Sequence, residues 1–211
     1  MEYFTMTRVI SYIDGFNLYF GLRSKGWRKY YWLDLVALST SLLKPGQELQ
    51  AVHYFTTRIR NNRHNSQDIQ RQNMYLEALG MRPALSLHFG HYLEKPKQCR
   101  KCGATWMDFE EKMTDVNIAV QLLADAFDDR FDTALLVSAD SVLTSPVRQV
   151  RNRFPLKRIV VAQPPGRHSS ELTKAATGFV TVGEDKLRQS QLPPLVARSD
   201  GFVLQRPTYW T

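Results

Sequence analysis

Three carboxylates stand where acids can do chemistry. Asp14 follows the apolar run Val9-Ile10-Ser11-Tyr12-Ile13 in "YIDGFN". Asp140 follows a second apolar run in "LVSADSVL". An apolar run that ends in a small turn and an acid reads as a buried strand with a carboxylate at its mouth. Asp115, in "EKMTDVNIAV", shares one helical face with Ile118, Ala119, Leu122 and Ala126. A charge at the head of an apolar face needs a cation or a wet cleft. In a parallel sheet the strand mouths share one edge, where ligands bind. Three acids meeting there would repel one another, and a hard cation such as Mg²⁺ or Mn²⁺ relieves that repulsion. Each acid also has a plainer use. Asp14 and Asp140 can cap the helices that follow, and Asp115 can serve its helix dipole.

These acids require a particular set of elements to position them. Val9 to Ile13, Leu49 to Thr57, Arg82 to Phe89, Thr133 to Ser138, Leu156 to Ala162 and Phe179 to Val182 read as strands. Phe16 to Lys25, Leu33 to Leu43, Ser66 to Leu79, Thr114 to Phe127, Pro146 to Arg153 and Ser170 to Ala176 read as helices. The alternation predicts an α/β sandwich around a mainly parallel sheet. A polar Cys-containing insertion, about 95–110, interrupts it, and residues 191–211 read as an irregular tail behind a domain of residues 1–190.

The totals agree with such a domain. The chain has 211 residues, 43% of them hydrophobic and 23% charged, enough for a sizeable core. A formal net charge of +8 favours an anionic partner, nucleic acid above others. No apolar stretch is long enough to cross a membrane. The N-terminus lacks a signal-peptide pattern and there are only two cysteines, so the cytoplasm is the expected location.

"YIDGFNLYF", "EEKMTDVNIAVQLL" and "TALLVSADSVLTSPV" together resemble the motifs of NYN domains, the LabA-like branch of the PIN-like nucleases. The resemblance covers most of residues 8 to 182. It implies a PIN-like, Rossmann-type sandwich and a metal-dependent endoribonuclease using Mg²⁺ or Mn²⁺. By position, Asp14, Asp115 and Asp140 match the family's acids, and Asn17 matches the asparagine after the first acid. Val142 stands where that family has a further aspartate, and Ala139 where glycine is common. The resemblance therefore implies either hydrolysis of RNA, weakened at Val142, or a catalytically inactive RNA-binding or regulatory module. A dinucleotide site is disfavoured, because no Gly-x-Gly-x-x-Gly follows the first strand.

Basic residues on the expected edge are candidates to hold the RNA backbone: Arg58, Arg60 and Arg63 after the second strand, Lys112 near Asp115, and Arg167 in "PPGRHSSEL". Ser169 or Ser170 in the last stretch can equally be a helix cap. His88, His91, Cys99 and Cys102 follow H-x₂-H-x₇-C-x₂-C, a set of four that could hold a structural Zn²⁺. The competing reading is two free thiols in a loop. RNA is the expected partner, with no membrane; a homo-oligomer is compatible with the sequence.

Overall fold

The computed structural model describes residues 6–59 and 65–211. Ten strands and seven helices are described: β1 (Thr7–Asp14), α1 (Gly15–Ser24), α2 (Leu35–Ser41), β2 (Gln47–Thr56), α3 (Ser66–Gly80), β3 (Leu85–Phe89), β4 (His91–Gln98), β5 (Thr105–Lys112), α4 (Thr114–Phe127), β6 (Thr133–Val137), α5 (Thr144–Arg153), β7 (Arg158–Gln163), α6 (Ser170–Ala175), β8 (Gly178–Thr181), α7 (Glu184–Gln189), β9 (Leu195–Ala197) and β10 (Val203–Gln205). Six strands form one sheet in the order β3-β2-β1-β6-β7-β8. Every pairing in it is parallel.

The strands read as apolar runs because both sheet faces are covered. Along β1, Val9 and Ile13 enter one core with α1, α2, α3 and α7, through Leu18, Leu22, Leu35, Leu38, Leu79 and Leu187. Ile10 and Tyr12, one residue out of phase, enter the other core with Ile118 and Leu122 of α4, Val147 and Val150 of α5, and Leu172 of α6. The starts of α1 and α2 are fixed by side-chain caps. The Asp34 carboxylate accepts from the Val36 and Ala37 amides, and that of Asp14 accepts from the Asn17 amide.

Two segments differ from the sequence expectation. The polar insertion is an antiparallel arm, β4 paired with β5. The acidic run before Thr114 therefore belongs to a strand, and Lys112 ends β5. The C-terminal residues are ordered as a β9–β10 hairpin followed by a 3₁₀ turn, Thr208–Trp210, whose Trp210 packs into the first core.

The arm also separates the four expected zinc ligands. His91 pairs with Lys112 at the base, while Gln98 pairs with Thr105 beside the tip that carries Cys99 and Cys102. At ~3.3 Å per residue, His91 and Cys99 lie roughly 25 Å apart. His88 turns to His53, with Nε2 to Nδ1 at 2.9 Å. A single zinc on these four residues is thus excluded by the pairing of β4 with β5. The two thiols are free and stand together at the tip, where the Cys99 sulfur accepts from the Lys101 and Cys102 amides, which draws its thiol downward.

Candidate active site at the strand crossover

The sheet order reverses between β1 and β6, because the chain first builds outward through β2 and β3 and then returns to the other side of β1. Connections leave in opposite directions there and open a crevice at the C-terminal edge. Asp14 ends β1 and Ser138 follows β6, so the crevice holds the residues that the motifs pointed to.

Asp14 is buried, 2% exposed. Its Oδ1 accepts from the Asn17 amide at 2.9 Å. Its Oδ2 accepts from Asn17 Nδ2 at 2.7 Å and from Ser138 Oγ at 2.9 Å. The Ser138 oxygen in turn accepts from the Asp140 amide at 3.0 Å. One hydroxyl thus ties the two acidic turns together. Asp140 is half-buried and caps the next turn, its Oδ1 accepting from the Val142 amide. Burial pushes the Asp14 carboxyl up from its ordinary range, three hydrogen bonds pull it back, and the Asp140 charge pushes it further up. The donors to Asp14 are all neutral, so among the described residues this buried carboxylate has no ion-pair partner while it feels the charge of Asp140.

Asn17 joins the other side. Its Oδ1 accepts from the Ala139 amide and from Arg167 Nε, both at 3.4 Å. Arg167 can reach it because the Pro164–Arg167 loop lies directly on α1 at Gly21. A Cβ there would come within 2.7 Å of the Pro165 carbonyl oxygen and 3.2 Å of Arg167 Cγ. Only glycine permits this approach. Ser169 caps α6, as the plainer sequence reading had it.

Asp115 lies in the first turn of α4, half-buried, at the same edge. Among the described residues, no three His, Cys, Asp or Glu side chains form a ready-made metal ligand set. The three acids share an edge without converging as such a set. Arg58 is exposed beyond β2, donates to Asn73 Oδ1 at 2.9 Å and lies over the Phe89 ring. Arg60 and Arg63 lie outside the described residues.

Sequence reasoning missed two groups. One is Ser138. The other is a buried polar chain beneath α4: Tyr12 OH donates to Asp125 Oδ2 at 2.8 Å, His53 Nε2 lies 3.4 Å from the same oxygen, and His53 contacts His88. The signal was present at Asp125, which stands on the apolar stripe seven residues after Ile118. Its distant partners, Tyr12 and His53, come from β1 and β2, which no local pattern reveals. Desolvation lowers the His88 pKa, helped by the neighbouring His53. A lowered His pKa removes stability as pH falls through the unfolded value of about 6.5. The melting temperature should therefore drop between pH 7.5 and 5.5, and His88→Gln, which can still donate to His53, should lessen that drop. Equal drops in both proteins would contradict the assignment.

A cleft of about 510 Å³ adjoins Asp14 on the α1–α3 side, with Gly15 and Tyr54 as inner wall. Burial raises the Tyr54 phenol to about 12, with the Asp14 charge adding to the shift.

Comparison with known proteins agrees with this architecture. A curated relative, 6-hydroxy-3-succinoylpyridine 3-monooxygenase HspA of Pseudomonas putida, is 28% identical over 196 residues, 77% of this chain and 61% of that protein. The match thus takes in less than two thirds of the relative's length. A solved structure of a protein of unknown function from Vibrio parahaemolyticus superposes with a TM-score of 0.53 at 20% identity, over 88% of this chain and 98% of that one. This likeness supports the fold. The family model for the NYN domain matches residues 8–183, nearly all of the sheet and its helices, and the chain belongs to the NYN domain family.

Proposed function

We propose that this chain is a metal-dependent endoribonuclease of the LabA-like branch, with Asp14 and Asp140 as its central acids. NYN domains belong to the PIN-like nuclease superfamily. One observation carries the reading: a buried Asp14 carboxylate, raised by desolvation and by Asp140, with neutral hydrogen-bond partners in the crossover crevice. The donor set suits a hard cation. Asp14 uses three of its roughly four lone-pair sites in hydrogen bonds, and Asp140 accepts from the Val142 amide. Mg²⁺ is commonly held by one or two carboxylates, with waters and substrate phosphate oxygens completing its shell. Mg²⁺ or Mn²⁺ bound there would supply a Lewis acid for a phosphoryl oxygen and a lowered water pKa.

The chain's own residues supply position. Asn17 fixes both oxygens of Asp14, and Ser138 couples that carboxylate to the Asp140 turn. Arg167, held at Asn17, faces a phosphate entering the crevice, and Arg58 and Lys112 add positive charge for the RNA backbone; Arg60 and Arg63, proposed for the same role, lie outside the described residues. Asp115 contributes negative charge at the same rim. Deprotonated acids oppose one another without a cation, so Mn²⁺ should raise the melting temperature by binding the native state. The test is cleavage of a labelled single-stranded RNA with Mn²⁺ or Mg²⁺, compared with Asp14→Asn.

Val142 favours a second reading. Its side chain is 63% exposed beside Asp140, with no acid on that position. A module that binds RNA without hydrolysing it would bind in the same assay and leave the strand intact. The Pseudomonas relative's substrate, by its name, is a substituted pyridine, and the 510 Å³ cleft has room for a small ring. Under the ribonuclease reading, 6-hydroxy-3-succinoylpyridine should give no thermal stabilisation and no turnover. Among the described residues no helix is long and apolar enough to cross a membrane; the cytoplasm is the proposed location.

A further inference from the structure

The cleft beside Asp14 has a composition that hydrolysis at the crevice does not use. Three of its walls are tyrosine rings: Tyr19, Tyr31 and Tyr209. Three arginines also line it: Arg23, Arg28 and Arg71. Its one lining carboxylate, Asp68, is held by Arg71 at 2.7 Å. Arg23 and Arg28 pair with no carboxylate among the described residues, although both act on the Tyr31 phenol. Guanidiniums without carboxylate partners beside aromatic rings attract a planar ring that carries an anionic group.

Tyr209 is the most telling of the rings. It is half-exposed, and the guanidiniums of Arg28 and Arg71 lie 4.0 Å and 4.5 Å from its centroid. Its neighbour Trp210 is 8% exposed and packs on Tyr31, Trp32 and Tyr75, with ring centroids 5.8 to 6.3 Å apart. The buried tryptophan fixes the backbone of a 3₁₀ turn and thereby holds Tyr209 at the cleft. A solvent-facing tyrosine held in this way, beside two guanidiniums, adds little to the core. It offers a rigid platform. The cleft's inner wall begins at Gly15, the residue after Asp14, so a chain threaded past the acids meets this platform next.

We propose that the cleft is a base subsite: it stacks one unstacked nucleobase of single-stranded RNA on Tyr209 and its neighbouring rings, while Arg28 leaves the Tyr209 ring for the adjoining phosphate and holds it together with Arg23. The subsite rests on the ribonuclease reading for its RNA. It goes further by placing a base contact in a cleft outside the acidic crevice, which a paired base is not free to enter. It also gives the C-terminal residues a direct part in binding.

The test is fluorescence anisotropy of a labelled single-stranded RNA decamer in EDTA, so that cleavage plays no part. Tyr209→Ala and Arg28→Gln should each weaken binding roughly tenfold, within the range for loss of a base-stacking platform or a phosphate contact. Arg28→Gln should lower the slope of log affinity against log salt by about 0.7. A decamer of abasic nucleotides should bind the wild type and Tyr209→Ala alike. Melting temperatures of both variants should stay near that of the wild type. Tight binding that neither substitution weakens would overturn the subsite while leaving the ribonuclease reading intact. Absence of RNA binding by the wild type would overturn the subsite, and failure to cleave the same RNA with Mn²⁺ would overturn the ribonuclease reading. Equal binding of duplex and single-stranded RNA would also contradict the subsite.

Discussion

Replacing Asp125 by leucine should destabilise the protein by about 3 kcal/mol, the usual cost of breaking a buried polar pair. The carboxylate is 1% exposed and accepts from Tyr12 OH at 2.8 Å and Gln121 Nε2 at 3.1 Å, with His53 close by. Desolvation is the largest single influence on Asp125 and raises its pKa, but the contacts with His53, Tyr12 and Gln121 together hold it below the ordinary value. The group therefore contributes stability above the unfolded carboxylate value of about 4, lost as pH falls below it. Leucine leaves the Tyr12 hydroxyl and His53 without their partner. Chemical denaturation at neutral pH should reveal the loss, and it should shrink toward acidic pH. Asp185→Ala, which breaks an exposed pair with Arg188, should stay within about 0.5 kcal/mol of the wild type. If Asp125→Leu unfolds at the same denaturant concentration as the wild type, the buried chain contributes no net stability.

Val142→Asp should raise metal-dependent RNA cleavage on the order of tenfold, equivalent to about 1.4 kcal/mol of barrier. Position 142 is exposed, so the substitution disturbs no packing. Its backbone amide already bonds to Asp140 Oδ1 at 3.0 Å, which puts the new carboxylate on the turn that carries Asp140. Without metal the added charge faces Asp140 and Asp14 and should lower the melting temperature by a few degrees. Mn²⁺ should then recover more than it does in the wild type. Both gains should disappear in the Asp14→Asn background. Unchanged cleavage and unchanged Mn²⁺ stabilisation in Val142→Asp would remove position 142 from the site.

Much of the sheet was legible because its strands are buried on both faces. Runs such as Val9–Ile13 and Thr133–Val137 carry that burial in their composition, and the helix Thr114–Phe127 has the expected bounds. The arm β4–β5 was not legible as a pair of strands. The residues of β4 are largely exposed and include Pro96, so neither alternation nor composition marks that strand. A two-stranded ribbon tolerates such a proline because it has open edges. The zinc pattern failed for a related reason: spacing along a chain does not reveal that a hairpin will carry its ends apart. Short strands of three residues, as in β9 and β10, lie below what a period of two can resolve.

Within the crevice, Asp14 and Asp140 were legible because a parallel sheet brings every strand mouth to one edge. Asn17 followed from its place in the first motif, and its contacts with both oxygens of Asp14 give that place a physical content. The coupling through Ser138 was not legible, because its two partners lie 124 and 2 residues away. The tyrosine platform was equally hidden. Tyr209 joins Arg28 and Arg71 through a tail that sequence alone read as irregular.

The account turns on whether Asp14 and Asp140 cleave RNA with a divalent cation. The most direct measurement is the initial rate on a labelled single-stranded RNA with millimolar Mn²⁺, for the wild type and for Asp14→Asn, each with and without excess EDTA. Cleavage should occur in the wild type, stop with EDTA, and fall at least on the order of 100-fold in Asp14→Asn while its thermal unfolding remains cooperative. RNA left intact by the wild type with Mn²⁺, or cleavage that survives both EDTA and Asp14→Asn, would contradict it.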